Sequence, residues 1–192
     1  RLYDAEHDRA QQLQRGLLPQ IVPPLPALTA AARYQPASGQ AEVGGDWYDT
    51  IPLSAGRIAL VIGDVMGHGL SEAITMGRLR ASVATIAGMD YPPNELLAHI
   101  NDVASGFEDD RYATCLYAIY DSTTGTCSMA SAGHPPPAVV YPDGSVWYPN
   151  ISPGLPLGVA QQPYENTDFE LPDGSMLIFY TDGLLESRDG DM

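Results

Sequence analysis

Positive charge is scarce in this chain. Only 9 Lys and Arg stand against 24 Asp and Glu, a net charge of −15 over 192 residues. Nucleic acid and anionic membrane are held through Lys and Arg on phosphate, so such a surface repels both, and neither is expected as a partner. An acidic chain that must handle phosphate needs cations from elsewhere, and bound metal is the obvious source. Cysteine is nearly absent as well. Cys115 and Cys127 are too few for a disulfide framework and both sit in apolar, strand-like runs, so both read as reduced core residues. No run approaches the roughly 18 apolar residues of a membrane helix, and no signal peptide is visible. The expected location is the cytoplasm. The sequence opens at Arg1 and not at Met, which reads as a fragment of a longer protein.

What is present is the composition of a folded domain: 44% hydrophobic and 17% charged residues can bury a core, whereas a disordered chain is far more polar. Residues 1–18 read as a polar helix with a narrow stripe at Leu2, Leu13, Leu17 and Leu18. Such a helix buries little alone and is expected to dock on the domain or on a second copy, a homodimer through this helix. Pro19 and the segment 21–26 end it. Strands are expected at 27–36, 46–53 and 57–65. A turn follows at Gly67-His68-Gly69, then helices over about 70–89 and 94–105. Further strands are expected at 112–121, 126–133, 137–141, 166–172 and 175–182. DSTTG (121–125) reads as a hairpin connection, and Pro-Asp-Gly marks turns at 142–144 and 172–174. The order is strands, two adjacent helices, then strands, without βαβ alternation. That predicts an α+β fold of antiparallel sheets with helices packed outside.

Three acidic motifs stand at strand ends or beside glycines: GGDWYD (44–49), GDVMGHG (63–69) and YTDG (180–183). Asp64 follows IALVIG and Asp182 follows MLIFYT, both expected to be buried. A carboxylate there is costly unless paired or bound to metal. Hard cations such as Mg²⁺ and Mn²⁺ take carboxylates, backbone carbonyls and water. Two such ions close together can activate water and clamp a phosphoryl group. A lone Asp-Gly is usually only a turn; three in one acidic domain leave the turn and the catalytic reading both open on residues alone.

The motifs GGDWYD, GDVMGHG, SAGHPP and YTDGLLE, in this order and spacing, resemble the type 2C metal-dependent protein phosphatases. The closest likeness is to the bacterial branch typified by the stage II sporulation phosphatase and the stress regulators of sigma factors. LQRGLLP (13–19) also resembles the linker helix of that branch. The resemblance implies an α-β-β-α sandwich of two antiparallel sheets with helices on the outer faces. It implies a linker or regulatory helix over 1–20 and a catalytic domain over 21–192 that is truncated at its C-terminus. Asp46 would bind one metal, Asp64 would bridge two, the Val65 carbonyl would add an oxygen, and Asp182 would bind the other metal. The cofactor would be two or more Mn²⁺ or Mg²⁺ ions. A further metal-binding Asp expected near the C-terminus is not assigned to Asp189 or Asp191, and the stretch before Tyr112 is short for the family.

The implied function is a serine/threonine phosphatase acting on a phosphorylated partner protein, such as an anti-sigma-factor antagonist, under an upstream sensor domain. A pseudophosphatase acting as an interaction module is the alternative; a hydrolase of small phosphorylated metabolites is a third reading. Among the other residues, His68 reads as a turn histidine and Asp49 as structural. Trp47 and Tyr48 read as core or rim. His134 lies where the resemblance places a strand end near the metals.

Overall fold

The structure, a computed structural model, describes residues 16–19, 28–34, 44–107 and 111–184. Eight strands and two helices of more than one turn lie within them. Strand β1 (Gly44–Pro52) pairs antiparallel with β2 (Arg57–His68), and β2 with β3 (Ala113–Asp121). Strand β4 (Thr126–Ala132) pairs antiparallel with β3 and with β7 (Thr167–Glu170), giving the order β1-β2-β3-β4-β7. The second sheet has the order β6-β5-β8, from β5 (Ala138–Val140), β6 (Val146–Trp147) and β8 (Met176–Ile178), again antiparallel.

Alternation along the strands sorts the large sheet into two faces. Ala59, Val61, Val65, Cys115, Tyr117, Ile119, Ala130 and Ala132 join the core formed with the helices. Ile62, Leu116, Ala118, Tyr120, Cys127 and Met129 join Val139, Leu177 and Phe179 of the second sheet in a separate core. The two cysteines are therefore on opposite faces of one sheet, both buried and both free.

Helix α1 (Leu70–Ala87) buries Ala73, Met76, Leu79, Val83 and Ala87, a three-and-four spacing that forms one stripe. Its N-cap Gly69 has φ 122°, a conformation that favours glycine, and Glu72 lies in its first turn, where negative charge suits the helix dipole. Pro93 opens helix α2 (Pro93–Ser105) at a position where its missing N–H costs nothing. Leu96, Leu97 and Ile100 anchor α2 at 0% exposure, each contributing about 1.5–3 kcal/mol of burial. Both helices pack on the five-stranded sheet and on each other.

The turns form as their residues require. Gly125 N–H donates to the Asp121 carbonyl at 2.9 Å, and Gly144 and Gly174 adopt φ of 83° and 82°. Some expectations change. Residues 28–34 hold only a bridge residue at Leu28 and no strand; the rest of the expected 27–36 strand lies outside the described residues. Strand β8 covers 176–178 and not 175–182. One of its faces is open to solvent, so only the alternate side chains Leu177 and Phe179 pack inward, and Met176 and Ile178 remain 58% and 37% exposed. The run before Asp182 is thus half-buried. The two-residue strand β6 is too short to show periodicity. Of the expected N-terminal helix, residues 1–15 and 20 lie outside the described residues. Gly16 and Leu17 are helical and Leu18 is buried in the helix-side core.

Candidate active site

The β1–β2 and β2–β3 registers place Asp46 opposite Asp64 and Asp64 opposite Thr114. The alternation that sends Ile62 and Leu116 toward the second sheet puts Asp64 and Thr114 on that face too. One row of oxygen-bearing side chains therefore crosses three strands at the end of the inter-sheet core.

Glycines let the backbone close around this row. Trp47, 1% exposed, lies over Gly63. A β-carbon on Gly63 would come 2.2 Å from Trp47 Cη2 and 2.6 Å from the Thr114 carbonyl. The residues that follow Asp46 and precede Asp64 are thus packed against each other, which fixes both carboxylates from behind. A β-carbon on Gly45 would come 2.3 Å from the Val65 carbonyl oxygen, so Gly45 permits the close approach of β1 to that oxygen. Glu72 packs beside Gly67 and Gly69 and is ion-paired with Arg111, bracing the end of β2 beyond Asp64, which runs as strand through His68 where a turn was expected.

Asp46 and Asp64 are within hydrogen-bonding reach of each other. Burial pushes the Asp46 carboxyl above its ordinary range, and the charge of Asp182 pushes the same way. Hydrogen bonds with Asp64 and Thr181 act in the opposite direction. Asp182 opens a 3-10 turn after β8, closed by Leu184 N–H on the Thr181 carbonyl at 3.1 Å. Thr181 Oγ1 donates to Asp46 Oδ2 at 3.0 Å, which brings this segment against the carboxylate pair. Among the described residues, no three His, Cys, Asp or Glu side chains close into a metal cage. Asp46 and Asp64 are paired, and Asp182 stands beside them, exposed, acting on Asp46 through its charge. Like charges this close repel unless a cation intervenes.

His134 is buried, with Nδ1 2.8 Å from Thr114 Oγ1 and Nε2 3.1 Å from the Tyr180 carbonyl oxygen. A carbonyl only accepts, so Nε2 carries the proton, Nδ1 accepts, and Thr114 donates. Burial lowers the His134 pKa to about 4, so the ring is neutral at pH 7. The other readings resolve plainly. Asp49 takes an ion pair from Arg80 Nε at 2.9 Å and a hydrogen bond from Thr50 N–H at 2.9 Å, a structural role. Trp47 is core, Tyr48 packs at its margin, and the His68 side chain is exposed at the end of β2. Thr114 and Thr181 were not singled out in the sequence. Thr181 lies inside the YTDG motif, which is the one signal that could have found it. Asp189 and Asp191 lie outside the described residues.

Comparison with known proteins adds a family to this geometry. The sequence pattern of the stage II sporulation protein E (SpoIIE) family matches residues 54–192. The phosphoserine phosphatase RsbU of Bacillus subtilis (strain 168) is 28% identical over 186 residues, covering 96% of this chain and 54% of RsbU. The chain thus spans about half the length of that relative. The crystal structure of the RsbU and RsbW domains of a Mycobacterium tuberculosis protein aligns with a TM-score of 0.70 at 34% identity, covering 74% of this chain and 40% of that one. The PP2C phosphatase domain of SpoIIE from Bacillus subtilis aligns with a TM-score of 0.65 at 25% identity, covering 73% and 42%.

Proposed function

Since this chain belongs to the stage II sporulation protein E family, we propose that it is a metal-dependent serine/threonine phosphatase domain acting on a phosphorylated partner protein. The observation behind the reading is the facing pair Asp46 and Asp64 across β1 and β2, with Asp182 brought alongside through Thr181. The residues fit divalent ions. The donors are all hard oxygens, and two carboxylates facing each other across β1 and β2 with a third alongside gather negative charge that a divalent cation would offset. Asp46, Asp64, Asp182 and the Val65 carbonyl would hold two or more Mn²⁺ or Mg²⁺ ions. Bound there, such ions supply Lewis-acid stabilisation of phosphoryl oxygens and lower the pKa of water.

The chain's own residues supply the rest. Trp47 on Gly63 holds the two aspartates in register. Thr181 donates to Asp46 Oδ2, which leaves the other oxygen, Oδ1, without that donor. His134 is neutral and uses both ring nitrogens on the protein, so it is no proton donor to a leaving group. A water-derived nucleophile attacking phosphorus in line needs no phosphoenzyme, and the work of the site is then positioning and charge stabilisation.

RsbU is named a phosphoserine phosphatase, and an RsbU domain shares a chain with an RsbW domain in the Mycobacterium tuberculosis protein. A phosphorylated anti-sigma-factor antagonist is the substrate class that fits a partner-switching system of this kind. Regulation would enter through the N-terminal segment and an upstream sensor. Arg80 Nη1 donates to the Leu17 carbonyl at 2.8 Å while its Nε pairs with Asp49, linking that segment to α1 and β1.

A second reading, an interaction module without turnover, draws on one observation: no three-ligand cage is closed among the described residues. Phosphate release separates the readings. The full-length protein is incubated with Mn²⁺ and either a phosphoserine protein or a small aryl phosphate. The phosphatase reading expects metal-dependent release, faster from the protein. Binding of the phosphoprotein with no release under saturating Mn²⁺ would establish the module instead, and preference for the small phosphate would point to a metabolite hydrolase.

A further inference from the structure

The structure assigns His134 a positioning role: its ring ties Thr114 on β3 to the backbone of Tyr180, and so sets the Tyr180–Asp182 segment against the Asp46–Asp64 pair. This inference rests on the reading of those carboxylates as holders of divalent ions.

Ile178 is the last residue of β8 paired to β5, through Ala138. Residues 179–181 leave the sheet, yet they must deliver Thr181 and Asp182 to a site built on the other sheet. Two described side-chain ties bridge that gap. One is Thr181 Oγ1 to Asp46 Oδ2 at 3.0 Å, and the other is His134 Nε2 to the Tyr180 carbonyl at 3.1 Å.

His134 is itself held firmly. Its backbone N–H donates to Ser131 Oγ at 3.0 Å, and Ser131 Oγ donates to the His134 carbonyl at 2.9 Å. Ser131 and His134 are only 2% and 4% exposed. Gly133 before it has φ 67° and has no room for a β-carbon beside Pro156, which fixes the approach of the backbone. Thr114 stands in the same cross-strand row as Asp64 and Asp46. The ring therefore reads the position of the row through Nδ1 and passes it to the last segment through Nε2. A neutral imidazole serves both bonds in one tautomer, and burial favours the neutral form. Metal sites commonly depend on such outer partners to aim their ligands.

Two substitutions separate this role from simple packing. Gln ends near the position of Nε2 and can still donate to Tyr180; Asn ends near Nδ1 and can only serve Thr114. Mn²⁺ alone is titrated calorimetrically into the full-length wild type, His134→Gln and His134→Asn, with thermal unfolding of each measured without metal. His134→Asn is expected to weaken Mn²⁺ binding by about 10–100-fold while His134→Gln stays within about threefold of wild type, the range typical for loss of an outer partner. Affinity unchanged in His134→Asn, or equally reduced in both variants, overturns the inference. If His134→Asn does not fold, Thr181→Val removes the other tie from a half-buried position, and the same inference predicts weaker Mn²⁺ binding there. Unaltered binding in Thr181→Val then overturns it. A wild type that binds no Mn²⁺ fails the metal reading itself, and the positioning role falls with it.

Discussion

Gly63→Ala tests whether the packing behind the acidic pair is as tight as the structure shows. The added methyl would meet Trp47 Cη2 at 2.2 Å, Trp47 Cζ2 at 2.3 Å and the Thr114 carbonyl oxygen at 2.6 Å. Carbon atoms in contact prefer about 3.5–4.0 Å, so something must move by more than an ångström. Neither neighbour yields easily. The indole is 1% exposed in the helix-side core, and Thr114 belongs to β3 at the centre of the large sheet. Overpacking of this kind costs about 1–3 kcal/mol, and two rigid neighbours put this site at the upper end. Urea unfolding followed by far-UV circular dichroism reads the loss in every variant, including one without Trp47. Trp47→Phe on top of Gly63→Ala vacates the ring atoms in the way, so the double variant should recover part of the loss, a coupling of about 1 kcal/mol or more. The backbones of Asp46 and Asp64 move with the indole, so Mn²⁺ binding should weaken in Gly63→Ala. If Gly63→Ala matches wild type within about 0.5 kcal/mol, as an indifferent surface change would, the packing account of the site is wrong.

Two further outcomes follow from buried polar groups. His134 has a pKa of about 4 in the folded protein against 6.5 when exposed. The unfolded chain therefore binds more protons between these values. Stability should rise with pH across that window, be complete above about pH 6.5, and fall by about 3 kcal/mol as pH drops to about 4. Denaturant titrations of metal-free wild type and His134→Gln check this: the difference between their pH profiles should show the slope, and parallel profiles would refute it. Asn101, fully buried, accepts from Gly158 N–H at 2.8 Å and donates to the Ala160 carbonyl at 3.1 Å. Asn101→Leu strands both backbone groups and should cost about 1–3 kcal/mol for each one left unpaired. Equilibrium unfolding measures that loss, with Mn²⁺ affinity unchanged because the residue lies outside the acidic row.

Much of this layout was legible in the residues. The run before Asp64 is apolar on both alternating positions, and β2 is indeed buried on both faces. The spacing Ala73, Met76, Leu79, Val83 made α1 visible, and the turn signals at 121–125 and 142–144 located the β3–β4 and β5–β6 hairpins. Strand β8 was overread because MLIFYT is equally apolar, and sequence cannot tell an edge strand with one face open from a buried one. Residues 28–34 were overread for a similar reason: Ala and Thr fit an extended chain whether or not a partner strand exists. The acidic residues announced themselves through adjacent glycines. Thr114 and Thr181 did not, since hydroxyls are common in strands and their meaning comes only from register and from contacts between segments far apart in sequence. For His134, the SAGHPP motif drew attention to the residue, but only the geometry shows both ring nitrogens turned to the protein.

The central claim, that Asp46, Asp64 and Asp182 form a divalent-metal phosphatase centre, meets its most direct test at Asp64. Asp64→Asn keeps the shape of the side chain and removes a full charge from the facing pair. The measurement is kcat/KM for Mn²⁺-dependent phosphate release from a phosphoserine protein, in the full-length protein, with folding of the variant confirmed by its unfolding transition. The account predicts a loss of at least about a hundredfold, roughly 3 kcal/mol of transition-state stabilisation. Metal-free stability should be unchanged or higher, since an amide at position 64 can still hydrogen-bond Asp46 and no longer adds a negative charge to the acidic row. A folded Asp64→Asn protein that retains wild-type kcat/KM would contradict it.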